Sequence, residues 1–320
     1  MTNDNLDNEY NSDSYYPEKP NFEESENKNK ISVISILWFI GLSYWFFDHD
    51  WVFVLYLVVV IMLHEMGHYI AMRMFNYQNV KMFFVPMIGA MVSGLKEQAT
   101  QKQKAIVSLA GPVPGILIAV GLYYWADASD NDQFVQLANI FISINLFNLL
   151  PLQPLDGGHI IENLFFDSKE NIQKIFGIIS AGILVILAIY MQAYLLLVVP
   201  FFMVLRLRSQ EEVKSVRKAL DQEGVNYRKP FDLLNRKEYS LIRASIIYKV
   251  KAFQYFDIRY YGDSIEEKPL AEHIKMILKP APLSRMTTTG KIIFSLVWLG
   301  SIVGGIYTLV WYFSTHAGEM

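Results

Sequence analysis

Three ionisable side chains, His64, Glu65 and His68, lie in the interior of a largely apolar run over residues 51–75, in which Arg73 is close to the end. A run of this length is typical of a helix that crosses a lipid bilayer, which needs about 20 apolar residues. Ionisable groups at bilayer depth are costly, so they are retained mainly where they face a bundle interior and serve a function. Residues four apart share one face of a helix, so both imidazoles can reach one metal ion, with Glu65 beside it. The run therefore predicts a membrane helix with a metal site on its inner face.

The composition supports a membrane protein. Of the 320 residues, 52% are hydrophobic and 18% are charged, and the many aromatic residues suit interfacial belts. The formal net charge of −3 suggests no nucleic-acid partner, so the first partner to expect is the lipid bilayer. The chain has no cysteine, so any metal must be held by His, Asp, Glu or Asn side chains. The composition specifies no oligomeric state.

Apolar segments recur along the chain and predict six or seven transmembrane helices. The segments are 31–47, 51–75, 105–125, 134–150, 175–205, which is long enough for two passes, and 291–313. Residues 80–94 are apolar but too short to span and are broken by Pro and Gly, which predicts a hairpin or loop dipping into the membrane. The expected fold is therefore an all-α multi-pass membrane protein with a small membrane-embedded β-hairpin near the candidate site.

Loop charges predict the orientation. The loops at 48–50 and 127–133 contain acidic residues and neither Lys nor Arg, whereas the loops on the opposite side are basic. The positive-inside rule places the basic side in the cytosol. His64 lies about 20 Å along the helix from the outer end at Trp51, at 1.5 Å per residue, which is past the bilayer midplane. The candidate site is thus expected toward the cytosolic side.

A second motif follows the fourth apolar segment and runs from Asn148 through two prolines to Asp156 and a Gly-Gly pair. The prolines and glycines break the helix and free backbone groups that must be satisfied inside the protein or by cavity water. Asp156 can serve as a third ligand, leaving a fourth position for water as in catalytic zinc sites. Asn148 offers an amide suited to a developing oxyanion. Taken by itself, the motif is equally compatible with a helix-ending turn in which Asp156 caps the next helix.

Together the two motifs resemble the site-2 protease family of intramembrane zinc metalloproteases, over roughly residues 51–163. The resemblance implies one zinc ion per chain, with ligands His64, His68 and Asp156, with Glu65 as catalytic base and with Asn148 at the scissile carbonyl. It also implies a membrane-protein substrate, cleaved within or near a transmembrane segment and held extended by the hairpin. We therefore expect a multi-pass integral protein of a bacterial plasma membrane. The stretch 108–115 is similar to the family's Gly-Pro stretch, with Gly115 where many members have Asn.

We expect the chain to be organised into four consecutive parts. Residues 1–30 are polar and acidic and predict a disordered cytosolic tail. Residues 31–206 form the intramembrane metalloprotease core. Residues 207–289 predict a cytosolic helical segment without the alternating strands of a PDZ or CBS module. Residues 290–320 predict a last transmembrane helix and a short tail.

Two alternatives to an active protease remain open at this point. The first is a catalytically silent zinc-binding membrane scaffold of the same fold. The second is a zinc transporter, which would need several ligand sets along a path, whereas the sequence offers one. Glu65 favours the enzyme, because a site needed only for metal or shape has no use for a base. His159, three residues beyond Asp156, is assigned no role.

The orientation can be tested with single cysteines, because the chain has none of its own. In intact cells, an impermeant maleimide should label Ser129→Cys, and it should label Ser209→Cys only after lysis. The reverse pattern would overturn the orientation and, with it, the cytosolic position of the candidate site.

Overall fold

A computed structural model describes residues 16, 29–47, 49–85, 89–96, 98–167, 169–256, 264–279 and 284–316. The α-helices are α1 (Asn29–Phe46), α2 (Trp51–Met74), α3 (Gln101–Ala110), α4 (Pro112–Ser129), α5 (Asp132–Asn148), α6 (Asp156–Phe165), α7 (Glu170–Tyr190), α8 (Val198–Gln222), α9 (Arg236–Lys249), α10 (Ser264–Ile277) and α11 (Thr288–Thr315). Two antiparallel strands, β1 (Gln78–Val85) and β2 (Gly89–Leu95), form a hairpin. A mostly helical chain with one small hairpin is therefore confirmed. The expected tail, 1–30, lies almost entirely outside the described residues.

Long apolar helices dominate the described part of the chain. Four stretches there are long and apolar enough to cross a membrane: Trp51–Met74, Gln101–Ser129, Glu170–Tyr190 and Thr288–Thr315. A shorter apolar helical stretch covers Ile34–Phe46. Helix α5 has 17 residues, slightly below the length of a full span. The expected count of six or seven crossings thus stays a prediction.

The chain folds into two compact units. One consists of Asn27–Val204 and Leu283–Met320, and the other contains Leu205–Pro282. The second unit is built from the later part of α8 together with α9 and α10, around an apolar core that includes Leu220, Ile246 and Ile274. It therefore has a hydrophobic core of its own.

Side-chain caps define several helix starts in the first unit. The capping residues are Asp50 for α2, Thr100 for α3, Asn131 for α5 and Thr287 for α11. Each side chain accepts a hydrogen bond from a backbone N–H in the first helical turn, which would otherwise lack a partner. Pro112 opens α4 directly after α3, at a position where a missing N–H costs nothing.

Helix α2 is the element around which the first unit is arranged. It packs against α1, α3, α4, α5 and both strands of the hairpin. Val60 of α2 is fully buried in an apolar cluster with Tyr123 of α4, Ile142 of α5 and Tyr312 of α11. The helix is thus held on several sides, and His64 and His68, which follow Val60 on this helix, are buried.

The hairpin is attached to α1 along the outer edge of β1. The backbone N–H of Phe84 donates to the Ser35 hydroxyl at 3.1 Å, and the rings of Phe84 and Phe39 lie 5.7 Å apart. Across the hairpin, Phe84 pairs with Ala90 of β2. Strand β2 therefore lies on the far side of β1 from this attachment.

The second unit contains a buried ion pair between α9 and α10. Arg243 and Glu267 are each 1% exposed, and the guanidinium donates two hydrogen bonds to the carboxylate, at 3.1 and 2.6 Å. Removing one partner leaves the other charge buried without compensation, which costs about 3–5 kcal/mol.

We therefore expect Glu267→Gln or Arg243→Met to lower the stability of this unit strongly, measured as faster hydrogen exchange across α9 and α10 in the full chain. The double variant Arg243→Met/Glu267→Leu should recover most of the protection, because it leaves no unpaired charge. Equal protection in the parent and the single variants would show that the pair contributes no stability.

Candidate metal centre and active site

Three side chains from two helices converge on one point. His64 and His68 of α2 are buried, and Asp156 is the first residue of α6. The Nε2 atoms of the two histidines lie 3.2 Å apart, and Asp156 Oδ2 lies 3.2 Å from one and 3.3 Å from the other. Within the described residues this is the group of histidine and carboxylate atoms close enough to hold a metal ion. The two motifs, 88 residues apart when counted from His68 to Asp156, therefore form a single site.

Two hydrogen bonds set the protonation of the imidazole rings. His64 Nδ1 lies 2.8 Å from Asn145 Oδ1, and His68 Nδ1 lies 2.7 Å from the carbonyl oxygen of Val107. Both oxygens only accept, so each Nδ1 carries the hydrogen and donates it. In a neutral imidazole the other nitrogen, Nε2, is then a bare lone pair. Both Nε2 lone pairs are thus available to a ligand at the point of convergence.

The donor set fits zinc. The two Nε2 lone pairs and the Asp156 carboxylate oxygen face one another, and Oδ2 is buried without a hydrogen-bond partner. Such a group is electrostatically unfavourable unless a cation lies between its members. Two imidazoles and one carboxylate are typical ligands of catalytic zinc, which keeps a fourth position open. Zinc bound by His64, His68 and Asp156 is therefore the metal that these residues suit.

The break between α5 and α6 brings Asp156 to the histidines. The indole N–H of Trp298 donates to the carbonyl oxygen of Leu149 at 2.9 Å, which satisfies a backbone group freed by the break. The chain then folds back so closely that a Cβ on Gly157 would lie 2.1 Å from the Leu149 oxygen. A Cβ on Gly158 would lie 2.4 Å from the Leu152 oxygen. The two glycines after Asp156 are therefore needed for the close backbone approach that positions α6.

Two further glycines let α2 lie against the junction of α3 and α4. A Cβ on Gly67, inside the histidine motif, would lie 2.0 Å from the carbonyl oxygen of Ala110. A Cβ on Gly111 would lie 2.4 Å from Nε2 of His68. Larger residues at either position would push the ligand helix away from its neighbours.

Glu65 lines a cavity of about 770 Å³ together with His64. Its side chain is buried, and its carboxylate is hydrogen-bonded by the backbone of Val92 in β2. The cavity reaches from α1 across β2 and α5 to the turn after α7, and its wall includes His64, Glu65 and Asn148. A group bound at the metal position would therefore be accessible from this cavity.

The residues that the sequence predicts for the site all lie in the metal-binding group or in the wall of the cavity beside it. Asn148 is half-buried in the cavity wall and donates to the carbonyl of Ile144 at 3.0 Å, so its role at an oxyanion stays a prediction. His159 lies one turn further along α6, outside the converging group of described residues.

Asn145, whose side chain contacts His64, was not anticipated from the sequence. The sequence did contain a signal for it, because an Asn inside an apolar helix needs a hydrogen-bond partner within the protein.

Known proteins with similar sequences match part of the chain, and the family match includes most of α2. The sequence profile of Peptidase family M50 matches residues 52–131. Stage IV sporulation protein FB of Bacillus subtilis (strain 168) is 29% identical over 138 residues.

These matches bear out the resemblance of residues 52–131 to the site-2 protease family.

The expected resemblance is thus confirmed, and together with the four long apolar helical stretches of the described residues it supports an integral membrane protein. The match to the sporulation protein covers 42% of this chain and 48% of that protein, so the chain spans about half the length of its relative. A solved structure of the site-2 protease from Methanocaldococcus jannaschii aligns with a TM-score of 0.42 and 20% identity. That alignment covers 59% of this chain and 93% of that chain.

The site predicts one zinc ion per purified chain. Replacing His64 and His68 together with Ala should abolish stoichiometric zinc, because a single carboxylate does not hold the metal. Elemental analysis after detergent purification measures this. Zinc that stays stoichiometric in the double variant would refute the ligand assignment.

Proposed function

We propose that this chain is an intramembrane zinc metalloprotease that hydrolyses peptide bonds within or near transmembrane segments of membrane-protein substrates. The observation that carries the proposal is the placement of Glu65, which is buried beside the metal ligands and lines the cavity that reaches them. A carboxylate in this position can accept a proton from water and return it to a leaving group. The similarity of residues 52–131 to Peptidase family M50 supports the same reaction.

Peptide hydrolysis adds water to the scissile carbonyl carbon, breaks the C–N bond and moves a proton to the departing nitrogen. When bound, zinc would polarise the carbonyl and lower the pKa of the attacking water toward about 7. Glu65 accepts the proton of that water and delivers it to the leaving nitrogen. Asn148, on the same cavity wall, donates an amide N–H to the oxyanion as the carbonyl carbon becomes tetrahedral.

The cavity supports an apolar, locally extended substrate. Its wall is largely apolar and includes Phe39 and Phe47 of the first apolar segment. Strand β2 contributes Gly89 and Ala90 to the same wall, and Val92 directs a backbone hydrogen bond to Glu65 rather than to β1. A residue in an antiparallel strand bonds either to its partner or away from it, so this edge of β2 faces the base. A substrate segment unwound from its helix could add to that edge as a further strand.

The basic loops support a cytosolic position for the active site. They lie on the side of the bilayer midplane on which His64 is expected. We further propose that the membrane is a bacterial plasma membrane, which agrees with the bacterial source of the sporulation protein.

The alternative is a catalytically silent zinc-binding scaffold. Zinc binding by His64, His68 and Asp156 would serve both functions equally well. Glu65 distinguishes them, because a scaffold gains nothing from a buried carboxylate directed to the cavity beside its metal. The enzyme is therefore the function that the site supports best.

Replacing Glu65 with Gln tests the proton transfer. The variant keeps the size of the side chain and should keep zinc, but its cleavage rate should fall by about 10²–10⁴-fold, as is typical of lost acid–base catalysis. The measurement is cleavage of single-span membrane proteins in membranes, with zinc content determined in parallel. Cleavage of a confirmed substrate at the parent rate would exclude this mechanism and favour the scaffold.

Two residues of the second motif should behave differently from each other. Asn148→Ala should keep zinc and lose about 10²–10³-fold in rate, the loss expected for one oxyanion donor. Asp156→Ala removes a ligand and should lower zinc content as well as rate. Should Asn148→Ala lose zinc while Asp156→Ala keeps it, the two assignments would have to be exchanged.

A further inference from the structure

Asn145 is a fully buried polar residue in α5 that the proposed reaction does not use. Its Oδ1 lies 2.8 Å from His64 Nδ1, and its Nδ2 donates to the carbonyl oxygen of Phe141 at 2.7 Å. Both ends of the amide are therefore engaged, one by a metal ligand and the other by its own helix.

The orientation of this amide follows from its two partners. The Phe141 carbonyl can only accept, so the amide must present its NH₂ group to it. The opposite orientation would place two carbonyl oxygens against each other inside an apolar bundle. Oδ1 must therefore face His64, and an oxygen in that position requires the hydrogen to be on Nδ1.

We propose that Asn145 is a positioning residue that fixes His64 as the Nδ1–H tautomer and so directs the Nε2 lone pair to the metal position. The inference rests on the proposed zinc site for its effect on metal affinity, but the tautomer itself is a property of the metal-free protein. Hydrogen bonds of this kind orient metal ligands, and their loss typically lowers metal affinity by about 10–100-fold.

Gly115 of α4 provides the space for this contact. A Cβ built on Gly115 would lie 2.2 Å from Nδ2, 2.4 Å from Cγ and 2.4 Å from Oδ1 of Asn145. The amide group thus occupies the space that a Cβ at position 115 would fill. Any side chain at position 115 would displace the amide, and His64 would lose its acceptor without being touched directly.

The first test compares two matched substitutions in α5. Asn145→Leu removes the acceptor of His64, whereas Asn139→Leu removes a hydrogen bond from Tyr123 elsewhere on the same helix. Zinc affinity is measured on the full chain in detergent by competition with a chromophoric chelator. Asn145→Leu should weaken zinc binding by about 10–100-fold, and Asn139→Leu by less than about threefold. Equal affinities in Asn145→Leu and the parent would overturn the proposal.

The second test reads the tautomer of the metal-free protein at alkaline pH. Labelling the six histidines with ¹⁵N gives separate signals for Nδ1–H and Nε2–H, and His64 is identified as the signal missing from His64→Gln. In the parent, His64 should carry Nδ1–H. In Asn145→Leu it should change to Nε2–H, because the Asp156 carboxylate, 3.2 Å from Nε2, becomes the nearest acceptor. A His64 that keeps Nδ1–H in this variant would refute the inference.

His68 is the internal control in this experiment. It should stay Nδ1–H in both proteins, since its acceptor is the backbone carbonyl of Val107. A purely structural role for Asn145 would alter stability without changing the tautomer of one histidine and sparing the other. If the parent bound no zinc, the proposed function would fail, while this spectrum would still decide the role of Asn145.

A double-variant cycle covers the case in which Asn145→Leu does not fold. Gly115→Ala should weaken zinc binding in the parent, because the new methyl group displaces the amide. In an Asn145→Ala background the same change should have little further effect, since the displaced group is already gone. Additive losses would show that Gly115 acts independently of Asn145 and would contradict the proposal.

Discussion

The structure depends on bringing three electron-rich atoms together inside an apolar helix bundle. Two imidazole lone pairs and one carboxylate oxygen repel one another, so their convergence must be imposed by the surrounding fold and relieved by a cation. Helix α2 supplies two of the atoms from one face, and the broken connection between α5 and α6 supplies the third. The close helix contacts at Gly67 and the return of the chain over Gly157 are the means by which the fold imposes this geometry.

The same geometry connects the metal position to the place where a peptide would lie. Glu65 follows His64 in the chain and is hydrogen-bonded by the backbone of β2, so this carboxylate, the candidate metal position and the strand are neighbours. The hairpin is attached to α1 on its other side through Ser35 and Phe84. Under the proposed function, a substrate segment added to β2 would present its backbone to Glu65 while its side chains occupied an apolar cavity.

Most of the metal site could be predicted from local sequence, because the spacing of His64 and His68 sets their common face whatever the tertiary structure. Asp156 could be anticipated from its motif, but its distance to the histidines depends on how the chain folds between them. An Asn inside an apolar segment signals a buried partner, but the contacts of Asn145 with His64 and Gly115 could not be predicted, since they arise only when α2, α4 and α5 pack. The hairpin was predictable from its Pro and Gly, whereas the number of crossings depends on helices, such as α5, whose length is close to the limit.

The two histidines have acceptors of different chemical kinds. His68 donates to the Val107 backbone carbonyl, an oxygen that every amino acid at position 107 would provide. His64 donates to a side chain, which a single codon change can replace. The acceptor of His68 is therefore kept whatever residue occupies position 107, whereas the acceptor of His64 is lost when Asn145 is replaced. Natural selection could adjust how tightly such a protein retains its metal through position 145, without altering a ligand or the base.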